Sequence, residues 1–260
     1  MLGRDGPAPA ERTALVTGAS RGIGRATALA LARAGARVLA VGRSAGPLEE
    51  LGREDGIEPI VASIDTAEGC AGVAGEASRR AGAIDILINN AGRGGWHDRF
   101  IWEQDREGWD ASMAVNLDAP FELTRLLVGD MVRARWGRIV MISSTAGQMG
   151  APAMSPYCAS KHGVIGLMRS VAQDVAAHGV TCNAVLPGWV RTEMAEHDAE
   201  LEAERRGLTP EQVWAERAAE NPSGRVAEPE EIADVVAYLA SDAASAVNGE
   251  AITVSLGSPW

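Results

Sequence analysis

Tyr157 and Lys161 are the residues of this 260-residue chain whose types and spacing most directly suggest chemistry. They stand four residues apart in the segment SPYCASK, and on a helix that spacing puts both side chains on one face. A cation held beside a phenol favours the phenolate and lowers a pKa that is ordinarily about 10. The pair predicts proton transfer at the phenol, and the alternative is an exposed phenol beside a solvated ammonium.

Strand-like segments alternate with helical patterns along the chain and would position this pair. The strand-like segments are TALVTG, RVLAVG, EPIVASID, IDILINNAG, GRIVMISS, VTCNAVLPG and AITVSLG. Short, nearly continuous apolar strands of this kind belong to parallel sheets covered by helices on both faces. We therefore expect a flexible tail at residues 1–12 and a single α/β domain at residues 13–260, with a doubly wound parallel sheet.

Charge and composition exclude several classes of function. The net charge is −11 and the pI is about 4.9, which argues against a nucleic-acid partner and against an anionic membrane surface. The sequence has no apolar run near the ~20 residues that span a bilayer, and its first twelve residues lack the apolar core of a signal peptide. Cys70, Cys158 and Cys182 have no metal-ligand spacing, so we expect reduced, buried cysteines, no metal and a cytoplasmic protein.

A glycine-rich turn joins the first strand to the first helix. Its glycines, Gly18, Gly22 and Gly24, allow a tight turn and close approach of the backbone to a pyrophosphate, which the helix N-terminus also favours. The placement in the first strand–helix–strand unit predicts dinucleotide binding, although the spacing is G-x-x-x-G-x-G. The turn residues expected to contact the cofactor are Gly18, Ser20, Arg21, Gly22, Ile23 and Gly24.

The end of the second strand indicates which dinucleotide is preferred. Proteins selective for NAD place an acidic residue there to bind the ribose 2′-hydroxyl, whereas this chain has Gly42 followed by Arg43. Arg21 adds a second guanidinium from the glycine turn, and two guanidiniums without a carboxylate suit a 2′-phosphate. We predict a preference for NADP(H), with NAD(H) as the alternative.

An acidic segment separates the sixth strand from the last. Residues 193–231 contain 12 Asp or Glu and 4 Lys or Arg. We expect two helices split at Gly207, with Thr209 as N-cap, Pro210 in the first turn and Gln212 completing a capping box. An insertion at the carboxyl end of a strand suits a substrate lid, here at about residues 193–222, and a solvated acidic helix pair is the alternative.

Six motifs together give the chain a family resemblance. With TGASRGIG, NNAG, MAVN, ISS, YCASK and PGWVRT in this order, the chain resembles the short-chain dehydrogenase/reductase family from about Thr13 to Gly257. The resemblance implies a Rossmann-type domain with a seven-stranded parallel sheet, assembled as a homotetramer or dimer. The family's DGG after the last strand is replaced by SLGSPW, and our hypothesis is that Trp260 lies at a subunit interface or in a neighbouring pocket.

The resemblance also implies a catalytic group, which falls on Asn116, Ser144, Tyr157 and Lys161. Tyr157 would donate the proton in a carbonyl reduction, Ser144 would bind the same oxygen, and Lys161 would lower the tyrosine pKa and bind the nicotinamide ribose. Asn116 would hold a water that links Lys161 to solvent. Ser144 is preferred to Ser143 because it lies thirteen residues before the tyrosine, the separation that the family resemblance implies.

Further cofactor contacts follow from the same resemblance. Asp65 matches the position that contacts adenine, and the NNAG turn matches the one that abuts the cofactor. The segment PGWVRT matches the part of the family that holds the carboxamide. The residues concerned are Asp65, Asn90, Ala91, Gly92, Pro187, Gly188, Val190 and Thr192, in addition to Tyr157 and Lys161.

The residues expected around the substrate are mostly apolar or aromatic. Such a pocket suits a bulky neutral ketone, since methionine adapts to irregular shapes. The predicted pocket residues are Trp96, Gln148, Met149, Met154, Trp189 and Met194; for Trp214, core packing is at least as good an explanation.

Three other functions stay open. A hydroxybutyrate-type dehydrogenase would need a clamp for a carboxylate, for which Arg93 and Gln148 are the candidates. An acyl-carrier-protein reductase would need basic residues such as Arg135, yet the lid is acidic, while SPYCASKHGVIG and the lid resemble polyketide ketoreductases. A dinucleotide-sensing regulator without catalysis is disfavoured because Tyr157 and Lys161 are both present.

Overall fold

The strands form one parallel sheet, as their apolar sequences predict. The computed structural model describes residues 12–94 and 99–258. Within them the sheet has seven parallel strands in the order β3-β2-β1-β4-β5-β6-β7. The strands are β1 Thr13–Thr17, β2 Arg37–Gly42, β3 Ile57–Val61, β4 Ile86–Asn89, β5 Gly137–Ile142, β6 Val180–Pro187 and β7 Ala251–Val254. The predicted doubly wound fold is confirmed.

Helices follow the strands and cover both faces of the sheet. They are α1 Gly22–Arg33, α2 Ala45–Leu51, α3 Ala67–Ala81, α4 Arg106–Met113, α5 Ala119–Ala134, α6 Ser155–Val175, α7 Glu193–Arg206, α8 Pro210–Ala219 and α9 Pro229–Leu239. A π-helical turn at Ala114–Asp118 joins α4 to α5, and a 3₁₀ turn at Thr145–Gly147 follows β5.

The core lies in two apolar layers, one on each face of the sheet. Leu15 and Leu39 belong to the layer that packs against α3, α5 and α6, whereas Val16 and Val38 belong to the layer against α1 and α9. Adjacent residues of a strand thus serve opposite layers, as the two-residue period of a strand requires. Burial on both faces explains why these strands are apolar without alternation.

The direction in which successive strands are added to the sheet reverses between β1 and β4. The chain first builds outward from β1 through β2 to β3 and then returns to place β4 on the other side of β1. The two helix layers separate at this point, which leaves a crevice at the carboxyl ends of the strands. Gly18, just after β1, and Asn90, just after β4, stand at its edges.

Helices α7 and α8 form a separate small layer over that end of the sheet, which we call the lid. The predicted break is confirmed, since α7 ends at Gly207 in the left-handed conformation and Thr209 and Gln212 form the capping box of α8. Ala199, Ala203 and Val213 are buried within the lid together with Trp214. The acidic residues therefore surround a small apolar core.

Other predictions about the chain can be compared with the structure. Cys70, Cys158 and Cys182 are free and buried, as predicted. Across the described ranges, no helix has the length and apolar character to cross a membrane. Trp96 and Trp260 lie outside the described residues, as does the tail before Arg12.

Candidate active site

One large cavity opens at the carboxyl ends of the strands. Its volume is about 1020 Å³, and its walls run from the glycine turn and the end of β2, past the turn after β4, to β5, α6 and the lid. The described cofactor residues predicted from the sequence all line it: Gly18, Ser20, Arg21, Gly22, Ile23, Gly24, Arg43, Asp65, Asn90, Ala91, Gly92, Tyr157, Lys161, Pro187, Gly188, Val190 and Thr192. The fold brings these distant segments together at one site.

The glycine turn is packed so closely that side chains would not fit. A Cβ added at Gly24 would lie 2.3 Å from the carbonyl oxygen of Gly18, and Gly18 itself has φ +66°. The amide of Asn90 fastens the turn by donating to the carbonyl oxygen of Thr17 at 2.8 Å. Glycine is thus required here by backbone contact and by conformation.

The N-terminus of α1 presents its backbone to the cavity. Arg21 is the N-cap residue and provides no side-chain cap, and the first turn contains no acidic residue. The first N–H groups of a helix have no acceptor within the helix and favour an anion. The residues at this end of the cavity fit the pyrophosphate of a dinucleotide, which is anionic and needs such donors.

The end of β2 carries the two arginines expected near a 2′-phosphate. Arg21 donates to Ser44 Oγ at 3.2 Å, and Arg43 lines the cavity beside them. Gly42 occupies the position at which an NAD-selective protein would have an acidic residue. A Cβ added at Gly42 would lie 3.4 Å from Ser20 Oγ. This end of the cavity is therefore cationic and polar.

Ser144, Tyr157 and Lys161 meet at the other end of the cavity. Ser144 follows β5 and lines the cavity together with Tyr157, and its hydroxyl acts to lower the pKa of the phenol. Lys161 lies one helical turn after Tyr157 on α6, with its Nζ 5.6 Å from the centre of the phenol ring. Ser143, just before Ser144, is buried and donates to the carbonyl oxygen of Lys161 at 2.9 Å, which supports the structural role predicted for it.

The electrostatics of Tyr157 differ from the sequence prediction. Its pKa is raised and not lowered, because burial disfavours the phenolate more than the hydrogen bond from Ser144 favours it, and the charge of Asp198 adds to the rise. Lys161 is only 4% exposed, and burial lowers its pKa to about 8. Its Nζ donates to the carbonyl oxygen of Ile142 at 2.8 Å, so the ammonium is directed to the backbone.

Asn116 lies behind these residues and does not line the cavity. Its side chain is buried in the π-helical turn, where Oδ1 accepts from the backbone N–H of Arg93 at 2.7 Å and Nδ2 donates to Ser160 Oγ at 3.0 Å. A Cβ at Gly92 would lie within 4 Å of both Asn116 Oδ1 and Lys161 Nζ. The contacts of Asn116 hold the turn after β4 in place against α6.

The predicted substrate pocket is reproduced in part. Met149, Met154, Trp189 and Met194 line the cavity, whereas Gln148, in the same loop as Met149, does not. Trp214 is buried in the lid core, so packing is the better explanation for it. Arg93 lines the cavity with an exposed side chain.

Several lining residues were missed from the sequence. The most important are His197 and Asp198 on α7. A signal was available, because residues three and four positions after Met194 share its helix face. Ser44 was also missed, although it follows Arg43 directly and forms the N-cap of α2.

Comparison with known proteins agrees with this geometry. The model of the short chain dehydrogenase family matches residues 12–203. A ketoacyl reductase of the monensin polyketide synthase from Streptomyces virginiae is 38% identical, with 95% of this chain and 96% of that protein covered. A 3-oxoacyl-(acyl-carrier-protein) reductase of Thermotoga maritima is 36% identical, with 95% of this chain and 97% of that protein covered.

Solved structures give the same result. A variant of the actinorhodin polyketide ketoreductase, determined with NADPH, superimposes with a TM-score of 0.89 at 34% identity. The alignment covers 96% of this chain and 98% of that one.

Proposed function

Because this chain belongs to the short-chain dehydrogenase family and is an oxidoreductase, we propose that it reduces a ketone to a secondary alcohol with NADPH. The observation that supports this proposal most is the presence of the Ser144 and Tyr157 hydroxyl groups in the wall of one cavity, with Lys161 Nζ 5.6 Å from the centre of the phenol ring. Two hydroxyl groups that face one cavity can both bind a carbonyl oxygen, and one of them can give it a proton. The glycine turn lies in the same cavity and supplies the cofactor end.

Tyr157 is the proton donor in this proposal. Its raised pKa keeps the phenol protonated at neutral pH, so it can donate to the oxygen as negative charge develops there. The Ser144 hydroxyl donates a second hydrogen bond to the same oxygen. Lys161 binds the ribose next to the nicotinamide, and its pKa of about 8 leaves it largely charged at neutral pH. The nicotinamide, when bound, supplies the hydride to the carbonyl carbon.

The preference for NADPH over NADH rests on four residues in the glycine turn and at the end of β2. Arg21 and Arg43 offer guanidiniums to a 2′-phosphate, and Ser44 bonds Arg21 in the orientation that faces the cavity. Gly42 leaves no carboxylate to repel that phosphate. A structural relative was determined with NADPH, which is consistent with this preference.

The substrate we propose is a bulky neutral or β-keto ketone. Met149, Met154, Trp189 and Met194 provide apolar surface that can adapt to a large molecule. Relatives named for polyketide and 3-oxoacyl substrates support the β-keto class. The acidic lid opposes docking of an acidic carrier protein, because like charges would meet.

Turnover with the Tyr157→Phe variant tests the reaction. NADPH oxidation would be measured against a β-keto thioester, bulky neutral ketones and a short keto acid. We expect turnover of neutral ketones, and a fall of about 10²–10⁴-fold when the phenol hydroxyl is removed. The control is Tyr238→Phe, which changes an exposed tyrosine on α9 and should leave the rate unchanged. A Tyr157→Phe enzyme at full rate would disprove the proposed acid.

Cofactor preference is tested separately by titration. Direct titration of the wild type should show that NADPH binds more tightly than NADH. In Arg43→Ala the ratio of the NADH dissociation constant to the NADPH dissociation constant should fall by about tenfold, because one charge-assisted contact to the 2′-phosphate is lost. Arg53→Ala, at an exposed position after α2, is the matched control. Equal binding of the two cofactors by the wild type would contradict the proposal.

The tetramer suggested by the family resemblance stays a prediction.

A further inference from the structure

Asp198 places a carboxylate in the wall of the substrate end of the cavity. It lines the same cavity as Ser144 and Tyr157. A Cβ added at Gly94 would lie 3.7 Å from Asp198 Oδ2 and 3.4 Å from Met194 Sδ, so the lid reaches across to the segment that follows the turn after β4. Its negative charge adds to the rise in the pKa of Tyr157, in agreement with their place in the wall of one cavity.

The charge of Asp198 is not neutralised by a salt bridge. Within residues 12–94 and 99–258 no hydrogen bond or ion pair involves its carboxylate. Arg217 on α8 is the positive charge that most favours the ionised form of Asp198, but its guanidinium donates to Glu202 and to the carbonyl oxygen of Ala195, both at 3.0 Å. The carboxylate is therefore free to interact with a molecule in the cavity.

Several charged groups surround Asp198. Arg217 and His197 favour its ionised form, Glu202 disfavours it, and the phenol of Tyr157 lies on the adjoining α6. Arg93, next to Gly94, lines the cavity but is exposed to solvent, so its charge is screened more strongly. Burial is the largest influence and raises the pKa of Asp198 to about 6, which leaves it ionised at neutral pH and above.

We propose that Asp198 is a specificity-determining residue that makes the pocket accept neutral ketones and reject keto acids. The inference rests on the proposed function, since it concerns the same pocket. A keto acid that presents its carbonyl to Tyr157 brings its carboxylate into a partly buried space that already holds that of Asp198. Of the other carboxylates that line the cavity, Glu220 accepts a hydrogen bond from Trp189 Nε1, and Glu193 lies by the glycine turn at the cofactor end. Like charges at short range in such a space repel strongly, whereas an ester of the same shape carries no charge.

Matched substrates separate charge from shape. The rate constant kcat/KM would be measured for acetoacetate and benzoylacetate, each alongside its methyl ester, in wild type and Asp198→Asn. The ratio of ester to acid should fall by about tenfold or more in the variant, because the asparagine keeps the shape and removes the charge. The control is Glu204→Gln, which removes one charge from an exposed position of α7 outside the cavity and should leave the ratio unchanged.

The outcomes distinguish this inference from the proposed function. An unchanged ratio in Asp198→Asn, with the wild type active on the esters, overturns the inference alone. Failure of the wild type on all four compounds and on the larger ketones overturns both. NADPH titration of the variant checks that the fold and the cofactor end are intact, so that an inactive, misfolded protein is not mistaken for altered specificity.

The pH dependence gives a second readout. The wild-type ratio of ester to acid should decrease as the pH falls through about 6, because Asp198 then takes up a proton while the keto acid stays ionised. Asp198→Asn and wild type should converge at the acidic end. A wild-type ratio that does not change between about pH 5 and pH 7.5 would contradict a role for this carboxylate.

Discussion

The glycine turn and the lid face each other across the cavity, and they are built in opposite ways. The turn depends on the absence of side chains, since a Cβ at Gly24 would collide with the Gly18 carbonyl. The lid depends on side chains: the guanidinium of Arg217 lies 4.0 Å from the ring centre of Trp189 and 5.0 Å from that of Trp214. One surface is fixed by backbone contact, and the other by cation–π contacts and ion pairs.

This difference suits the two ligands. Every dinucleotide has the same pyrophosphate, so a rigid backbone site serves it well. Substrates vary in size, and the lid that faces them is a small separate layer whose core contains few residues. Side-chain changes in the lid can therefore alter substrate selection without disturbing the sheet.

Gly24→Ala should give the largest effect, at the backbone-built side. The added methyl group would lie 2.3 Å from a backbone oxygen that cannot rotate away, so we expect a loss of about 3 kcal/mol in the free energy of unfolding. The distorted turn should also bind NADPH at least tenfold more weakly. Thermal unfolding and NADPH titration measure the two effects.

The matched control for this substitution lies on α3. Gly72 is exposed and has nothing within 4 Å of an added Cβ. Gly72→Ala should leave NADPH binding unchanged and stabilise the protein by about 0.5–1 kcal/mol, because alanine is the better helix former. If the two variants had the same NADPH affinity and the same free energy of unfolding, close packing would not explain the glycine at position 24.

Arg217→Lys should give a smaller effect, confined to the lid. Arg217 is only 3% exposed and bonds Glu202 while contacting two tryptophan rings. Lysine keeps the charge but lacks the planar guanidinium, which stacks on the rings and donates to both Glu202 and the carbonyl oxygen of Ala195. We expect KM for a bulky ketone to rise about tenfold with little change in NADPH affinity, since cation–π contacts of buried arginines contribute about 2 kcal/mol.

The same substitution at an exposed lid position provides the comparison. Arg206→Lys changes a residue on α7 that pairs with Glu202 and Glu216 at the surface, where ion pairs contribute little. Its kinetic constants should match those of the wild type. A large fall in NADPH affinity in Arg217→Lys would show that the lid and the glycine turn are not independent.

Features that are determined locally were predicted from the sequence almost completely. Glycines, apolar strands and capping residues act locally, so the sheet, the turn at Gly18 and the capping box at Thr209 could be located before the structure was known. The helical spacing of Tyr157 and Lys161 was informative for the same reason. Each of these features depends on neighbours within a few residues.

Features that depend on distant contacts could not be predicted in the same way. The raised pKa of Tyr157 arises from burial and from Asp198, forty-one residues later in the chain. Gln148, the C-cap residue of the 3₁₀ turn at Thr145–Gly147, is exposed and does not line the cavity. The contact of Arg217 with Trp189 depends on how α8 packs against the segment after β6, which local patterns do not specify.

Thr209→Ala should have the smallest effect on stability. It allows the capped N-terminus of α8 to be compared with the N-terminus of α1. In α8 the Thr209 hydroxyl accepts from the N–H of Gln212, whereas in α1 the N-cap Arg21 offers no side-chain acceptor. Removing the cap should cost about 1 kcal/mol and speed hydrogen exchange in α8. Arg21→Ala should leave exchange in α1 unchanged and weaken NADPH binding instead. Were Arg21→Ala to speed exchange in α1 as much as Thr209→Ala does in α8, the Arg21 side chain would stabilise the helix N-terminus, contrary to its lack of a capping bond.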